Sequence, residues 1–388
     1  MVSFDNTEIA FSGKTQKDLN RSYWLFKMVS NPGLVNFGKS MTDFALRTHL
    51  PIRGIIKATI FRQFVGGEDI EESKKTIAEL GKYQIGTILD YSVEGAETET
   101  AFEACTKETL ATIALASVNA HIPFCVFKVT GLARFALLEK VSAQTALSGA
   151  EAVEYEKVKQ RVSNICARAA EAGIPIFIDA EESWIQPAVD ELAVEMMKRF
   201  NQQKPLVYNT FQLYLKTRLE YLRHSFAQAQ AEGYLIGAKL VRGAYMEKER
   251  ERATSMNYPS PIQNTKADTD RDYNAALEFC LEHIPRIGLC AGTHNEDSSM
   301  HLVRGMEKNN IPHNHPHICF SQLFGMSDHI SFNLAKDGYH VAKYVPYGPV
   351  NEVLPYLIRR AQENTSVKGQ TGRELSLIMK EKERRKKK

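Results

Sequence analysis

The chain has 388 residues, 43% of them hydrophobic, and its 49 Lys and Arg against 46 Asp and Glu leave a formal net charge of +3. That length and apolar content suffice for one large core or two domains, and so small a net charge excludes the global field of a nucleic-acid-binding protein. Six cysteines (Cys105, Cys125, Cys166, Cys280, Cys290, Cys319) show no C-x-x-C spacing and lie mostly in apolar runs. This fits free thiols in a reducing, cytoplasmic setting and argues against a zinc ribbon or a disulfide scaffold. No basic segment followed by an apolar leader opens the sequence, and no run of about 18 apolar residues occurs, so a soluble or at most membrane-peripheral protein is expected.

From Thr7 to about Glu79 the pattern is helical, with breaks at Ser30-Asn31-Pro32-Gly33 and Leu50-Pro51, and residues 1–80 are read as an N-terminal helical segment. After Tyr83 short β-rich runs appear at Ile85–Tyr91, Phe124–Thr130, Ile174–Ala180, Leu206–Phe211, Ile236–Arg242, Gly288–Thr293, Ile318–Leu323 and His340–Val345. Helix-forming stretches separate them: Thr98–Ala120, Ala150–Ala172, Ser183–Asn201, Tyr214–Glu232, Asp270–His283, Ser298–Asn309 and a weaker Asp328–Lys336, with Glu352–Glu363 as the eighth. Strands that are apolar almost throughout, alternating with helices, predict a parallel sheet covered by helices. Eight such units match an α/β fold of the (β/α)8 barrel type over residues 81–370, with an open doubly wound sheet as the alternative. Residues 371–388 form a basic tail, seven of the nine residues Lys380–Lys388 being Lys or Arg. It is expected to be disordered and to serve solubility or a weak attraction to anionic membrane.

Barrel chemistry collects where strands end. The first strand ends in Asp90-Tyr91, the second carries Lys128, the third ends in Asp179-Ala180-Glu181, and the fourth leads to Gln212. The fifth reads Lys239-Leu240-Val241-Arg242-Gly243-Ala244-Tyr245, the sixth ends in Thr293-His294-Asn295, the seventh in Ser321-Gln322-Leu323, and the eighth in Lys343-Tyr344. A lysine inside an apolar strand, as Lys128 is, needs a partner or a polar site; it either pairs with Asp179 on the next strand or faces a ligand. Lys239 and Arg242, followed by Gly243-Ala244, would present cations and open backbone to an anion such as a pyrophosphate.

The last strand runs through Val345-Pro346-Tyr347-Gly348 into a helix that carries Arg359 and Arg360 side by side, with Glu363 within helical reach. Two planar guanidiniums suit bidentate capture of a carboxylate, one oriented by the glutamate while the other meets the ligand. His313, His315 and His317 sit at a spacing of two around Pro316 without a neighbouring carboxylate or cysteine, and are read as loop residues rather than a metal site. No G-x-G-x-x-G, G-x-x-x-x-G-K-[ST] or G-x-S-x-G motif occurs, so a nucleotide cofactor would not be bound through a Rossmann domain.

Taken in order, Val241-Arg242-Gly243-Ala244-Tyr245, Thr293-His294-Asn295, and Tyr344 through Arg359-Arg360-x-x-Glu363-Asn364 resemble the proline dehydrogenase (proline oxidase) family of FAD-dependent barrels, over about Ile85 to Ser366. The form Lys239-Leu-Val-Arg242 is closer to the monofunctional branch than to the large bifunctional bacterial proteins. The resemblance implies that Arg359 and Arg360 grip a proline carboxylate, that Tyr356, Tyr245, Leu323 and Tyr344 wall the ring, and that Lys128 and Asp179 lie beside substrate and isoalloxazine. It assigns FAD contacts to Ala180, Thr210, Gln212, Lys239, Arg242, Gly243, Ala244, Thr293, His294, Asn295, Glu363 and Ser366. The family's hydroxyproline-preferring branch tends to have a smaller residue where this chain has Tyr344, so proline is favoured over 4-hydroxyproline.

The implied reaction moves a hydride from proline C5 to flavin N5, yields 1-pyrroline-5-carboxylate as the first step of proline catabolism, and passes electrons to a membrane quinone, with no metal and no nucleic acid involved. The residues leave two readings from other classes. One is a Schiff-base aldolase using Lys128. The other is a non-enzymatic barrel whose basic tail binds membrane or nucleic acid.

Overall fold

The computed structural model describes residues 2–29, 33, 53–92, 96–366 and 370–387. The breaks expected at Ser30-Asn31-Pro32 and Leu50-Pro51 lie outside the described residues. Eight parallel strands, β1 (Ile85–Tyr91), β2 (Phe124–Lys128), β3 (Ile176–Asp179), β4 (Val207–Gln212), β5 (Ile236–Val241), β6 (Ile287–Gly292), β7 (Ile318–Leu323) and β8 (Val341–Tyr347), pair in sequence order. β8 returns to β1 in register from Ile85↔Val341 to Tyr91↔Tyr347, which closes a (β/α)8 barrel and excludes the open sheet.

Helices follow the strands and cover them: Glu99–Ala116, Gly149–Ala172, Gln186–Phe200, Arg218–Glu232, Lys266–Glu282, Glu296–Lys308, Asp328–Lys336 and Leu354–Ser366. Their starts are written locally. Ser148 with Glu151 and Thr265 with Asp268 form capping boxes, satisfying amide donors that a helix leaves unpaired. Gly173, at φ 69°, ends the Gly149–Ala172 helix in a left-handed conformation.

The strand boundaries differ in two instructive places. β3 starts at Ile176, after Pro175, rather than at Ile174. β8 continues through Pro346 to Tyr347, where a turn was expected, because Asp90 and Tyr91 at the end of β1 remain registered against it. Between the strands, two helices were not anticipated, Phe135–Ser142 and Met246–Ser255. The second, Met-Glu-Lys-Glu-Arg-Glu-Arg-Ala-Thr-Ser, is too charged to show an apolar period.

Side chains fill the barrel rather than leave a pore. Phe124 and Phe177 stack with ring centroids 4.6 Å apart, and Tyr208 meets them edge-on at 5.8 and 5.3 Å. Glycine makes room for that phenol. A Cβ on Gly288 would lie 2.3 Å from the Tyr208 hydroxyl, and one on Gly237 would lie 2.6 Å from its ring.

A second apolar cluster sits outside the barrel. Phe11, Leu25, Phe26, Phe61 and Phe64 from the N-terminal segment pack with Met326, Leu354, Tyr356 and Leu357, and with Leu377 and Ile378 near the end of the chain. The basic tail is therefore a correction: Gln370–Lys386 is a helix, docked against the helix Gln16–Val29. Its order has a physical cause, because Glu374, Leu377, Ile378 and Glu381 form a buried stripe beneath the exposed lysines.

Candidate active site

Alternation sends every second strand residue into the barrel. Toward the C-terminal ends of the strands, the inward positions beyond the aromatic plug are polar: Asp90, Lys128, Asp179, Lys239 and Tyr344. Asp179 is the centre of this layer. Its Oδ1 accepts from Lys239 Nζ at 2.6 Å, its Oδ2 accepts from the Tyr344 hydroxyl, and Lys128 Nζ lies 3.6 Å from Oδ2. Lys128 also reaches both carboxylate oxygens of Asp90 at 3.4 Å, and Ser92 donates to Asp90 at 2.7 Å. Two ammoniums thus face two carboxylates in a buried neutral group, the condition for keeping charge inside a core.

Burial alone would raise the Asp179 carboxyl pKa, but the Lys239 and Lys128 ammoniums outweigh it and hold the group below the ordinary carboxylate range. The Tyr344 phenol is pushed well above its ordinary value, first by burial and then by the Asp179 charge, so it remains a donor. Lys239 Nζ also lies 4.3 Å from the Tyr344 ring centroid and 5.2 Å from that of Phe177. The tyrosine ring is held at both its hydroxyl and its face.

The fifth and sixth strand ends form one donor array. Arg242 donates to Asp270 at 2.8 Å, to Thr293 Oγ1 at 2.6 Å and to Ser298 Oγ at 2.9 Å, over the ring of Tyr273 at 4.4 Å. Gly243 follows at φ 139°, where a Cβ would strike the Tyr214 ring at 2.3 Å, so the backbone here stays bare. Ala244 continues it, and Tyr245 is buried at the start of the helix Met246–Ser255. Asn295 caps the helix Glu296–Lys308 through Ser298 N–H at 2.9 Å. Thr210 donates to Ile178 O at 2.8 Å and Gln212 to Glu181 O at 2.6 Å, so both fix strand ends, while Ala180 is buried beside them.

His294 Nδ1 lies 2.9 Å from Ser327 Oγ. Burial, then the charges of Lys343 and Arg360, lower its pKa to about 3, leaving a neutral imidazole. That influence also brings Arg360 close to the sixth strand end. Arg360 is buried with its guanidinium 5.3 Å over the Tyr356 ring, and Arg359 is half-buried beside it. Leu323 packs against both the barrel interior and the outer cluster, between the polar layer and the arginine helix. The side chains of Glu363 and Ser366 lie outside the described residues.

Two groups at the site escaped the sequence reading as site residues. Asp90 neutralises Lys128, and its signal was its place at the end of β1. Glu181 is buried, accepts from Thr130 through both N–H and hydroxyl, and has its carboxyl raised to about 7 by burial. The three loop histidines precede β7, at the opposite end of the barrel. His313 Nδ1 bonds Asp337 O at 2.8 Å and His317 Nδ1 bonds Ile284 O at 3.1 Å, so each ring is engaged with backbone.

A profile of the family described as Proline dehydrogenase matches residues 73–373. The mitochondrial proline dehydrogenase 1 of Dictyostelium discoideum is 34% identical over 379 residues, covering 86% of this chain and 66% of that protein. A hydroxyproline dehydrogenase of Xenopus laevis is 31% identical over 412 residues, covering 97% of this chain and 85% of that protein. Proline utilization A (PutA) from Bdellovibrio bacteriovorus, in a crystal structure inactivated by N-propargylglycine, matches with a TM-score of 0.74 at 21% identity, over 93% of this chain and 38% of that one, which shows a shared fold. With a family profile spanning the whole barrel from before β1 to beyond the helix Leu354–Ser366, this chain belongs to the proline dehydrogenase family.

Proposed function

We propose that this protein oxidises L-proline to 1-pyrroline-5-carboxylate with bound FAD, and that a membrane quinone takes the electrons. The observation that carries the reading is the pairing of a charge-compensated polar layer at the strand ends with two adjacent arginines on the following helix.

The donor set fits a flavin dinucleotide. A fixed guanidinium, a bare glycine backbone, a neutral imidazole and a threonine hydroxyl line adjacent strand ends, which suits pyrophosphate oxygens and the edge of a heteroaromatic ring. Arg242, Gly243, Ala244, Thr293, His294 and Asn295 would hold it, with Ala180, Thr210, Gln212, Lys239, Glu363 and Ser366 completing the contacts. When bound, FAD supplies the hydride acceptor.

The chain's own residues do the positioning. Arg359 and Arg360 fix the substrate carboxylate, so that the ring is oriented before reaction. Tyr356, Tyr245, Leu323 and Tyr344 enclose the apolar methylenes. The ammonium of Lys128 is engaged with Asp90 and Asp179, which suits electrostatic support better than the amine nucleophile of a Schiff-base enzyme. The substrate amine must lose a proton for its lone pair to assist hydride departure, and solvent can accept it. A 4-hydroxyproline specialist is disfavoured because a full tyrosine ring at Tyr344, held by Asp179 and Lys239, would leave little room for a 4-hydroxyl.

The direct test is spectroscopic. The purified protein should be yellow and bleach under anaerobic L-proline; a colourless protein unchanged by added FAD would overturn the reading. Arg359→Met or Arg360→Met should each weaken proline binding by about 2 kcal/mol, roughly thirtyfold, since a charge-assisted contact is lost. Titration of the bleaching with proline measures it, and unchanged affinity would reject the clamp. Tyr344→Ser should raise kcat/KM for 4-hydroxyproline relative to proline, and an unaltered ratio would remove Tyr344 as the gate.

A further inference from the structure

We propose that Glu374, on the helix Gln370–Lys386, is a positioning residue: by fixing Ser327 it sets His294 with Nδ1 as an acceptor and Nε2–H as a donor offered to a ligand oxygen at the strand ends. The identity of that ligand, bound FAD, rests on the proposed function; the state of the imidazole does not. Ser327 is fully buried and left-handed, at φ 52° and ψ 40°, before the helix Asp328–Lys336. A serine held there is strained, so its surroundings must fix it. Its N–H donates to the carboxylate of Glu374, itself buried, and its carbonyl accepts from the N–H groups of Ile330 at 3.0 Å and Ser331 at 3.2 Å.

The Ser327 hydroxyl lies 2.9 Å from His294 Nδ1 and has no other hydrogen-bond partner among the described residues. If Nδ1 carried the hydrogen, the serine oxygen would accept it, and the serine's own proton would be buried without an acceptor. With the Ser327 O–H donating to Nδ1, both groups are satisfied. The imidazole is neutral, since burial and the charges of Lys343 and Arg360 lower its pKa to about 3, so its single proton sits on Nε2. Nε2 has no hydrogen-bond partner among the described residues, and the ring is only half-buried, so this edge is free to donate.

Glu374 does not act alone. Its neighbour Arg373 donates to both oxygens of Glu296, at 2.7 and 3.1 Å, and Glu296 opens the helix that Asn295 caps. His329 spans the two carboxylates, with Nε2 3.0 Å from Glu296 and Nδ1 3.9 Å from Glu374. Two consecutive residues of one helix therefore fasten the segments after β6 and β7, which carry His294 and Ser327. The helix can serve as their anchor because its Leu377 and Ile378 are buried in the outer apolar cluster. An anchor of this kind fixes a ligand contact through its neighbour, as outer partners orient metal-bound histidines.

The test is nitrogen NMR of the histidine side chains in the full chain as purified, with His294→Gln identifying the signal by its loss. The parent should show His294 as the Nε2–H tautomer. Ser327→Gly relaxes the left-handed backbone but removes the hydroxyl, and Glu374→Leu removes the acceptor of the Ser327 N–H; in both, the signal should become a mixture of tautomers. Glu374→Gln keeps an acceptor oxygen and should restore the parent signal. FAD should bind about tenfold more weakly to Ser327→Gly and Glu374→Leu, the worth of one hydrogen bond. The Ser327→Gly melting temperature should match the parent's, which separates lost positioning from lost fold. A parent chain that binds no FAD would overturn the proposed function and the ligand named here, while the tautomer is decided by the NMR alone. An Nδ1–H tautomer in the parent, or the parent signal retained in Ser327→Gly and Glu374→Leu, would overturn the proposal.

Discussion

The site is organised around one buried carboxylate. Asp179 cannot sit ionised inside a barrel unless cations meet it, and Lys128 does so from the adjacent strand β2 and Lys239 from β5, beyond β4. The same carboxylate accepts the Tyr344 hydroxyl across the barrel, so charge compensation and the placement of the substrate wall become one requirement. The geometry follows from strand order: Lys128 on β2 is registered against Asp179 on β3, while Lys239 lies on β5 with Thr210 of the intervening β4 registered against it. Below them the Phe124, Phe177 and Tyr208 plug closes the barrel to water. A low-dielectric floor strengthens each of these electrostatic contacts.

The rim depends on this layer but is built by segments distant in sequence. Fully buried Lys343, next to Tyr344 but facing outward from β8, pairs with Asp328 at 2.9 Å, and Lys14 pairs with the other oxygen of Asp328 at 3.0 Å. Gln63 donates to Gly325 O at 2.8 Å, and Ser22 donates to Gln63. Gly325 itself is at φ 79°, and a Cβ there would lie 2.0 Å from Gln63 O. The N-terminal helices and the basic helix thus clamp the end of β7, where Leu323 faces the site, and the loop after it, whose Ser327 meets His294. The arginine helix Leu354–Ser366 is packed into that same cluster. Substrate grip and barrel interior consequently share a single apolar support.

Much of this was legible in the residues, for reasons that can be named. Strands buried on both faces read as nearly unbroken apolar runs, so a lysine or aspartate within one, as at Lys128 or Asp179, marks itself as needing a partner. The pairing was not fully legible: the closest cationic partner of Asp179 is Lys239 from β5, while Lys128 is shared between Asp179 and Asp90. Choosing among three strand-end cations requires the closed register, which local pattern does not contain. The basic helix was misread because its buried stripe includes Glu374 and Glu381, charged residues that disguise the helical period and are satisfied by Ser327, Arg384 and Arg385. The helix Met246–Ser255 was missed for a related reason, since its charges leave no apolar face to count. The roles given to His294, Asn295 and the arginine pair came from family resemblance, because no local rule singles out a ligand contact from a cap or an ordinary ion pair.

Asp179 and Lys239 are stabilised by one another, and a double-mutant cycle in chemical denaturation measures this directly. Asp179→Asn and Lys239→Met should each destabilise the fold by about 3 kcal/mol, because each leaves a buried charge uncompensated. The double variant should cost less than the sum by about 2 kcal/mol, the signature of coupled neighbours. Strictly additive losses, or single variants as stable as the parent, would contradict the account.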